Sequence, residues 1–331
     1  MIVSRAPVRF SLGGGGTDLP SYSHEHGGFL VAAAVDKYVN MCVAPRFQNN
    51  TRLAYSKTEL VDSIDHIEHP LFREAMRFVG ATQPMELHAI ADVPANTGLG
   101  SSSAFTVALL NGLHAFKREF IGTDRLAEEA CHIEIGVLKE PIGKQDQYIS
   151  AYGGITALTF DRDGSVHVER LPVKDDVIDD LERSLLIFYS GVERSASAVL
   201  SEQAKSVKAN KDDAVARMHR IKAMGHDVKK LLLSGDINLY GELLHEHWMN
   251  KRKLAANMTD PVIDEHYEEA RKAGAIGGKL MGAGGGGFFM FYVPPSARRK
   301  VYEVLTTRGL RPIRFRFDFD GARIVANFHR S

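Results

Sequence analysis

From Ile2 to Leu12 the stretch IVSRAPVRFSL alternates toward a strand and then breaks at GGGGTD, which predicts a strand running into a loop. GGFLVAAAVDKYVNMCVAP follows as buried β-structure rich in small and β-branched residues. After Ser101 the apolar positions Phe105, Leu109, Leu113 and Phe116 recur at helical spacing, predicting a helix over about 102–118 with one buried face. TDRLAEEACHIEIGVL predicts a second helix, with Thr123 and Asp124 as candidate caps. YGGITALTF returns to strand, and the acidic stretch 161–183, poor in large apolar residues, is the best candidate boundary. Beyond it the pattern predicts a strand at LLIFYSG, helices over about 195–273, a strand at GGFFMFYV, a helix near 295–308 and strands over 311–328. Runs of helices with separated strands point to an α+β fold, divided into domains 1–180 and 181–331.

Composition narrows the class. The 331 residues, 44% hydrophobic and 25% charged, suffice for two ordinary domains. Lys and Arg total 41 against 41 Asp and Glu, so no overall basic field draws nucleic acid or an anionic membrane, and a small-molecule partner is expected. Cys42 and Cys131 have neither disulfide-framework nor zinc spacing, which fits a reducing cytoplasm. MIVSRAPVRF carries charges where a signal peptide needs an apolar core, and FLVAAAV is too short to span a bilayer. The pairs His24/His26 and His245/His247 lack an HExxH context, and no structural metal is expected from them. Trp248 reads as core. RPIRFRFDFDG reads as a half-buried strand rather than a nucleic-acid patch.

Three glycine-rich segments stand at 13–16, 98–100 and 282–287, and each alone is consistent with a turn. GAGGGG formally matches GxGxxG, but helix precedes it and strand follows, the reverse of a dinucleotide fingerprint. A P-loop match ending at Lys279 would need glycine at Ala273 and Ser or Thr at Leu280. GLGSSSA is different. Its serines sit where the first helical turn leaves free N–H groups and the helix dipole favours negative charge, a natural phosphate site.

Magnesium bound to phosphates needs one or two hard oxygens from protein. Glu134 is either such a carboxylate or a solvated helix residue. Asp146, in EPIGKQDQYISAYGG, is either a turn or helix cap or a catalytic base. Arg9 places a charge in a strand-like run just before a loop, a hint of a group aimed at a phosphoryl oxygen.

APVRFSLGGGGTD, PANTGLGSSSA and KLMGAGGGGF, in this order, resemble the three motifs of the GHMP small-molecule kinases. The resemblance implies an N-terminal domain like ribosomal protein S5 domain 2, a ferredoxin-like C-terminal domain, and an ATP site between them. It assigns Ser102 and Glu134 to Mg²⁺, Asp146 to the acceptor's proton and Arg9 to the transferring charge. Pro94, Gly98, Leu99, Gly100, Ser101, Ser102 and Ser103 would hold the nucleotide phosphates, and Ser56 and Lys57 the adenine side. Galactokinases read GEHTD where this chain has Gly14-Gly15-Gly16-Thr17-Asp18, which speaks against plain galactose and leaves Asp18 as a sugar-hydroxyl acceptor.

GGGTDLPSYSHEHGG, YSKTELVD, PIGKQDQYISAYGG, RSAS and GGKLMGAGGGGFF look like the branch that phosphorylates the anomeric C1 hydroxyl of D-glycero-D-manno-heptose 7-phosphate. That resemblance implies a sugar 1-kinase making the 1,7-bisphosphate, in the supply of nucleotide-activated heptose for surface polysaccharide. Gly15, Gly16, Thr17, Asp18, Gly284 and Gly285 would meet the sugar. A phosphorylated acceptor needs a second anion pocket. Arg194 and Ser195 have suitable chemistry, with Lys251 and Arg252 next. A kinase for unphosphorylated fucose, mannose or galactose, or an inactive binder on the same fold, are the competing readings.

Overall fold

The structure, a computed structural model, describes residues 1–95, 97–192, 196–209 and 213–328. The chain opens with β1 (Ile2–Gly13), α1 (Pro20–His26), the long β2 (Gly28–Pro45), β3 (Thr51–Ala54), β4 (Thr58–Val61), α2 (Pro70–Val79) and β5 (Met85–Ala91). Then come α3 (Ser101–Phe116), α4 (Thr123–Cys131), α5 (Gln145–Tyr152), β6 (Ile155–Phe160), β7 (Val166–Arg170), α6 (Asp175–Ser184) and β8 (Leu185–Tyr189). Helices α7 (Ala196–Lys208), α8 (Ala214–Ser234), α9 (Tyr240–Lys251) and α10 (Pro261–Ala273) lead to β9 (Gly277–Leu280) and β10 (Phe288–Tyr292). The chain finishes with α11 (Pro295–Thr307), β11 (Arg311–Ile313) and β12 (Arg323–Asn327).

Two sheets organise these elements. The first has eight strands in the order β12-β1-β2-β5-β3-β4, with β6 and β7 branching from β2, and the second has the order β11-β8-β10-β9. β2 serves two partners on one edge because it is long: Gly28–Ala33 pairs with β6, and Val39–Pro45 with β5. Phe29 to Val35 are all buried, which is why that half reads as a continuous apolar run rather than an alternation.

Helix α3 lies across β1 and β2. Ser4 Oγ donates to the Ala108 carbonyl at 2.5 Å, and Gly112 brings the helix backbone close enough that a β-carbon there would stand 2.9 Å from Ser4 Oγ. Twelve of its sixteen residues are buried, including Leu109, Leu110 and Leu113, so it is enclosed on nearly all sides rather than on one stripe. Each large apolar side chain buried there contributes about 1.5–3 kcal/mol relative to exposure.

Several expectations need correction. Thr123 and Asp124 do not cap α4: Gly122 is the N-cap residue and no side chain bonds there, Thr123 being already helical. The acidic stretch 161–183, expected to mark the boundary, builds β7 and most of α6, and the second sheet takes its first strand, β8, directly after it. Position 180/181 falls inside α6, and β12 returns to pair antiparallel with β1, so the second half of the chain supplies a strand to the first sheet. RPIRFRFDFDG is not one strand either: β11 stops at Ile313, and an isolated bridge joins Val35 to Phe317. Trp248 is fully buried, as core. Among the described residues no helix is long and apolar enough to cross a membrane.

Candidate functional site

The loop before α3 and the β1 strand are fastened to each other. Arg9 N donates to the Leu99 carbonyl at 3.0 Å, and Arg9 Nη1 to the Gly98 carbonyl at 2.7 Å. Gly98 and Gly100 both take positive φ, 82° and 75°, where a side chain would be strained. This delivers the chain to Ser101 with α3 pointing its N-terminus, and the free N–H groups of its first turn, into a cleft of about 370 Å³.

At the base of that cleft Arg9 and Asp146 form a two-pronged ion pair, Nε to Oδ1 at 2.7 Å and Nη2 to Oδ2 at 2.9 Å. Asp146 sits in the first turn of α5. The Arg9 side chain is 5% exposed and that of Asp146 22%, so the fork fixes the carboxylate's orientation while leaving it reachable. The preceding residue, Gln145, donates from its backbone N–H (3.2 Å) and its side-chain amide (3.1 Å) to Asp18. Gly16 N–H also donates to Asp18. Burial raises the Asp18 pKa above the usual carboxylate value, and the neighbouring Asp146 carboxylate pushes it further the same way.

Glu134 enters from a turn of π-helix over His132–Val137 that continues α4, a local widening often found at functional sites. The side chain is 1% exposed. Its carboxylate accepts from Ser103 Oγ at 2.7 Å, from Gln147 Nε2 at 2.6 Å and from Thr106 Oγ1. All three donors are neutral, and burial pushes the Glu134 pKa up to about 7. Such a carboxylate, flanked by hydroxyls at the mouth of a helix N-terminus, has the hard-oxygen chemistry that Mg²⁺ takes. Among the described residues no group of three or more His, Cys, Asp or Glu side chains converges on one point, so a cation here would take most of its ligands from phosphate and water.

A second cavity of about 720 Å³ opens beside the first, and Ser101, Ser102, His69 and Leu71 line both. Its lining mixes polar groups with the apolar side chains of Phe105, Tyr189, Phe288 and Pro312.

The expected residues fall into groups. Arg9, Gly15, Gly16, Asp18, Gly98, Gly100, Glu134 and Asp146 share the first cavity with Ser101, Ser102 and Ser103, while Ser56 and Pro94 line the second. The serine on Glu134 is Ser103, whereas Ser102 faces the join between the cavities. Leu99 is buried and meets the site only through its carbonyl. Lys57 is drawn away into an exposed ion pair with Glu68 at 2.5 Å. The Thr17 hydroxyl is engaged by the backbone of Gly14 and Phe29, holding the loop rather than facing the cavity. Gly284 and Gly285 lie against Met258, and Gly282 and Ala283 face the cleft instead. Arg252 pairs with Asp264 at 2.9 Å. Arg194 and Ser195 lie outside the described residues.

Sequence reasoning missed Gln145, His247 and Lys279. A lysine following two glycines in an otherwise uncharged strand, GGKL, was the one available signal for the last.

Comparison with known proteins identifies the family and the fold. The family described as GHMP kinases N terminal domain matches residues 65–154, and that described as GHMP kinases C terminal matches residues 228–310. The chain is 26% identical over 295 residues to the D-glycero-alpha-D-manno-heptose 7-phosphate kinase of Campylobacter jejuni, covering 86% of each. It is 25% identical to the galactokinase of Thermococcus kodakarensis, covering 84% of this chain and 85% of that one. The crystal structure of a D-glycero-D-manno-heptose 1-phosphate kinase from Bacteroides thetaiotaomicron superposes with a TM-score of 0.83 at 26% identity, over 99% of this chain and 100% of that chain. With both domain families matched in order and the whole two-sheet architecture shared, the chain belongs to the GHMP kinases.

Proposed function

We propose that this enzyme transfers the terminal phosphoryl group of ATP to the anomeric C1 hydroxyl of D-glycero-D-manno-heptose 7-phosphate, giving the 1,7-bisphosphate. The Arg9–Asp146 fork carries the reading. It lines a cleft together with a helix N-terminus and the buried Glu134, next to a second cavity that Phe105 and Tyr189 help to line. Two relatives named for heptose kinases supply the acceptor class. An unphosphorylated heptose is the alternative acceptor.

In this reading the purine lies between Phe105 and Tyr189, and the phosphates run past Ser101 and Ser102 onto the N–H groups of α3. Asp18, held by Gln145 and Gly16, accepts a sugar hydroxyl and turns C1 toward Asp146. The Asp146 carboxylate takes the proton of the attacking hydroxyl. An anomeric hydroxyl is more acidic than an ordinary alcohol, so a carboxylate already bound to Arg9 is a sufficient base. The Arg9 guanidinium stays next to the charge that develops on the transferring group, the main source of acceleration in phosphoryl transfer. Glu134, with the Ser102 and Ser103 hydroxyls, would hold Mg²⁺, which when bound supplies positive charge to the nucleotide phosphates.

A coupled ADP-release assay with heptose 7-phosphate, heptose, mannose, fucose and no sugar tests this. Turnover at least tenfold faster with heptose 7-phosphate is expected. Equal rates with heptose and its 7-phosphate would refute the phosphorylated acceptor, and no ADP with any sugar would refute sugar phosphorylation.

A further inference from the structure

Three basic side chains meet in the wall of the first cavity: His247 and Lys251 from α9 and Lys279 from β9. They are 2%, 6% and 2% exposed. His247 and Lys251 are four residues apart and share one helix face. Lys251 Nζ donates to the Gly282 carbonyl. Neither ring nitrogen of His247 has a hydrogen-bond partner. Among the described residues no carboxylate forms an ion pair with Lys251 or Lys279; outside the cluster Lys251 feels Arg9, of the same sign, and Asp18, and Lys279 feels Arg9.

This is an expensive arrangement for a folded chain. Burial, and then repulsion from the neighbouring lysines, lowers the pKa of Lys279 and of His247 well below their usual values, and burial followed by repulsion from Arg9 brings Lys251 down to about 8. Well-packed apolar residues of similar size would fill the same space at no such cost. The cluster makes physical sense when an anion completes it. A phosphate monoester has three acceptor oxygens and a charge near −2 at neutral pH, matching two ammonium groups and an imidazole N–H. The neutral donors around Glu134 show the complementary case in the same cavity, where the buried charge is negative.

We infer that His247, Lys251 and Lys279 form a recessed seat for a phosphate group carried by one of the two substrates. The inference rests on the kinase reading above, in which two phosphates reach this cavity: the one to be transferred and the one the acceptor brings.

Titration calorimetry on the full chain separates the sources without turnover. One arm uses a nonhydrolysable ATP analogue alone, the other D-glycero-D-manno-heptose 7-phosphate alone, each against wild type, Lys279→Met and Lys251→Met. At least a tenfold loss of affinity is expected in the arm whose phosphate uses the seat, with the other arm changed less than threefold. Variants that match wild type in both arms overturn the seat. If wild type binds the analogue but no heptose phosphate, the acceptor reading fails, and the analogue arm alone decides the seat. Because methionine removes a buried cation while keeping the volume, melting temperatures are expected to hold or rise. Inorganic phosphate supplies an independent check: the rise in melting temperature it gives wild type over chloride should vanish in both variants and in His247→Gln, and an undiminished rise overturns the inference.

Discussion

Gly98 and Gly282 meet backbone to backbone across the cleft, where a β-carbon on Gly282 would stand 2.3 Å from the Gly98 α-carbon and 2.6 Å from its carbonyl oxygen. Both residues have positive φ, 82° and 69°. The Gly98 carbonyl holds Arg9, and the Gly282 carbonyl accepts from Lys251, so a shift of either loop moves a charged group in the site. Gly282→Ala is expected to destabilise the fold by about 1–3 kcal/mol in urea unfolding. It should lower kcat by roughly 10²-fold, since a displacement of about 1 Å has that effect on a positioned reaction. Unchanged kcat would mean that the two loops are not mechanically linked to the chemistry.

Asp146→Asn keeps the shape of the side chain and removes its basicity. Turnover should fall by about 10²–10⁴, with nucleotide affinity retained. Arg9→Lys keeps the charge but loses the fork, so it should also lower kcat despite being a like-for-like change in charge. Rapid-mixing measurement of the chemical step checks both, and a near-normal rate for Asp146→Asn would remove it from the base role.

Glu134→Gln preserves volume and removes the buried carboxylate that accepts from Ser103 and Thr106 of α3. Wild type should gain melting temperature when Mg²⁺ is added in the presence of ADP, and the variant should lose most of that increment. The Mg²⁺ concentration for half-maximal turnover should rise at least about tenfold, as for loss of a metal ligand or its immediate support. An unaltered Mg²⁺ response would exclude Glu134 as the protein's ligand.

Lys251 should leave a signature in alkaline stability. Its pKa falls from 10.5 to about 8 on folding, first through burial and then through Arg9. Between about pH 8 and 10.5 the unfolded chain carries a proton there that the folded chain has released, so stability rises with pH across that window. Conversely, this contribution is lost as pH falls through about 8. The full difference is on the order of 3 kcal/mol. Urea unfolding of wild type against Lys251→Met over this range isolates the effect, and parallel profiles for the two proteins would refute it.

Much of this site was legible because its chemistry depends on residues with few alternative uses. Gly98 to Ser103 announced a loop entering a helix, and the helix runs over Ser101–Phe116 where 102–118 was expected. Arg9 in a strand of buried neighbours was conspicuous for the same reason. Glu134 was ambiguous, because helical periodicity cannot reveal a π turn that rotates one residue inward. Ser102 and Ser103 are interchangeable in composition, and the rotation of α3 alone decides which touches Glu134. Lys57 and Thr17 were misplaced because a motif gives proximity along the chain, while an ion pair with Glu68 or a backbone bond to Phe29 redirects the side chain. Residues 46–93 were left unassigned: β3 and β4 are four residues each, too short for periodicity to register, whereas the amphipathic ten-residue α2 carries a pattern that was readable.

The pairing of β12 with β1 has a consequence for biosynthesis. β1 leaves the ribosome well ahead of its outer neighbour, Arg323–Asn327, which is made about 310 residues later (323 − 13), tens of seconds at ordinary elongation rates. Throughout that interval the nascent chain carries a bare sheet margin, a template for association with other polypeptides. Arg5, on the stretch that later faces Arg323, puts a charge on that margin and discourages such encounters until the closing strand arrives.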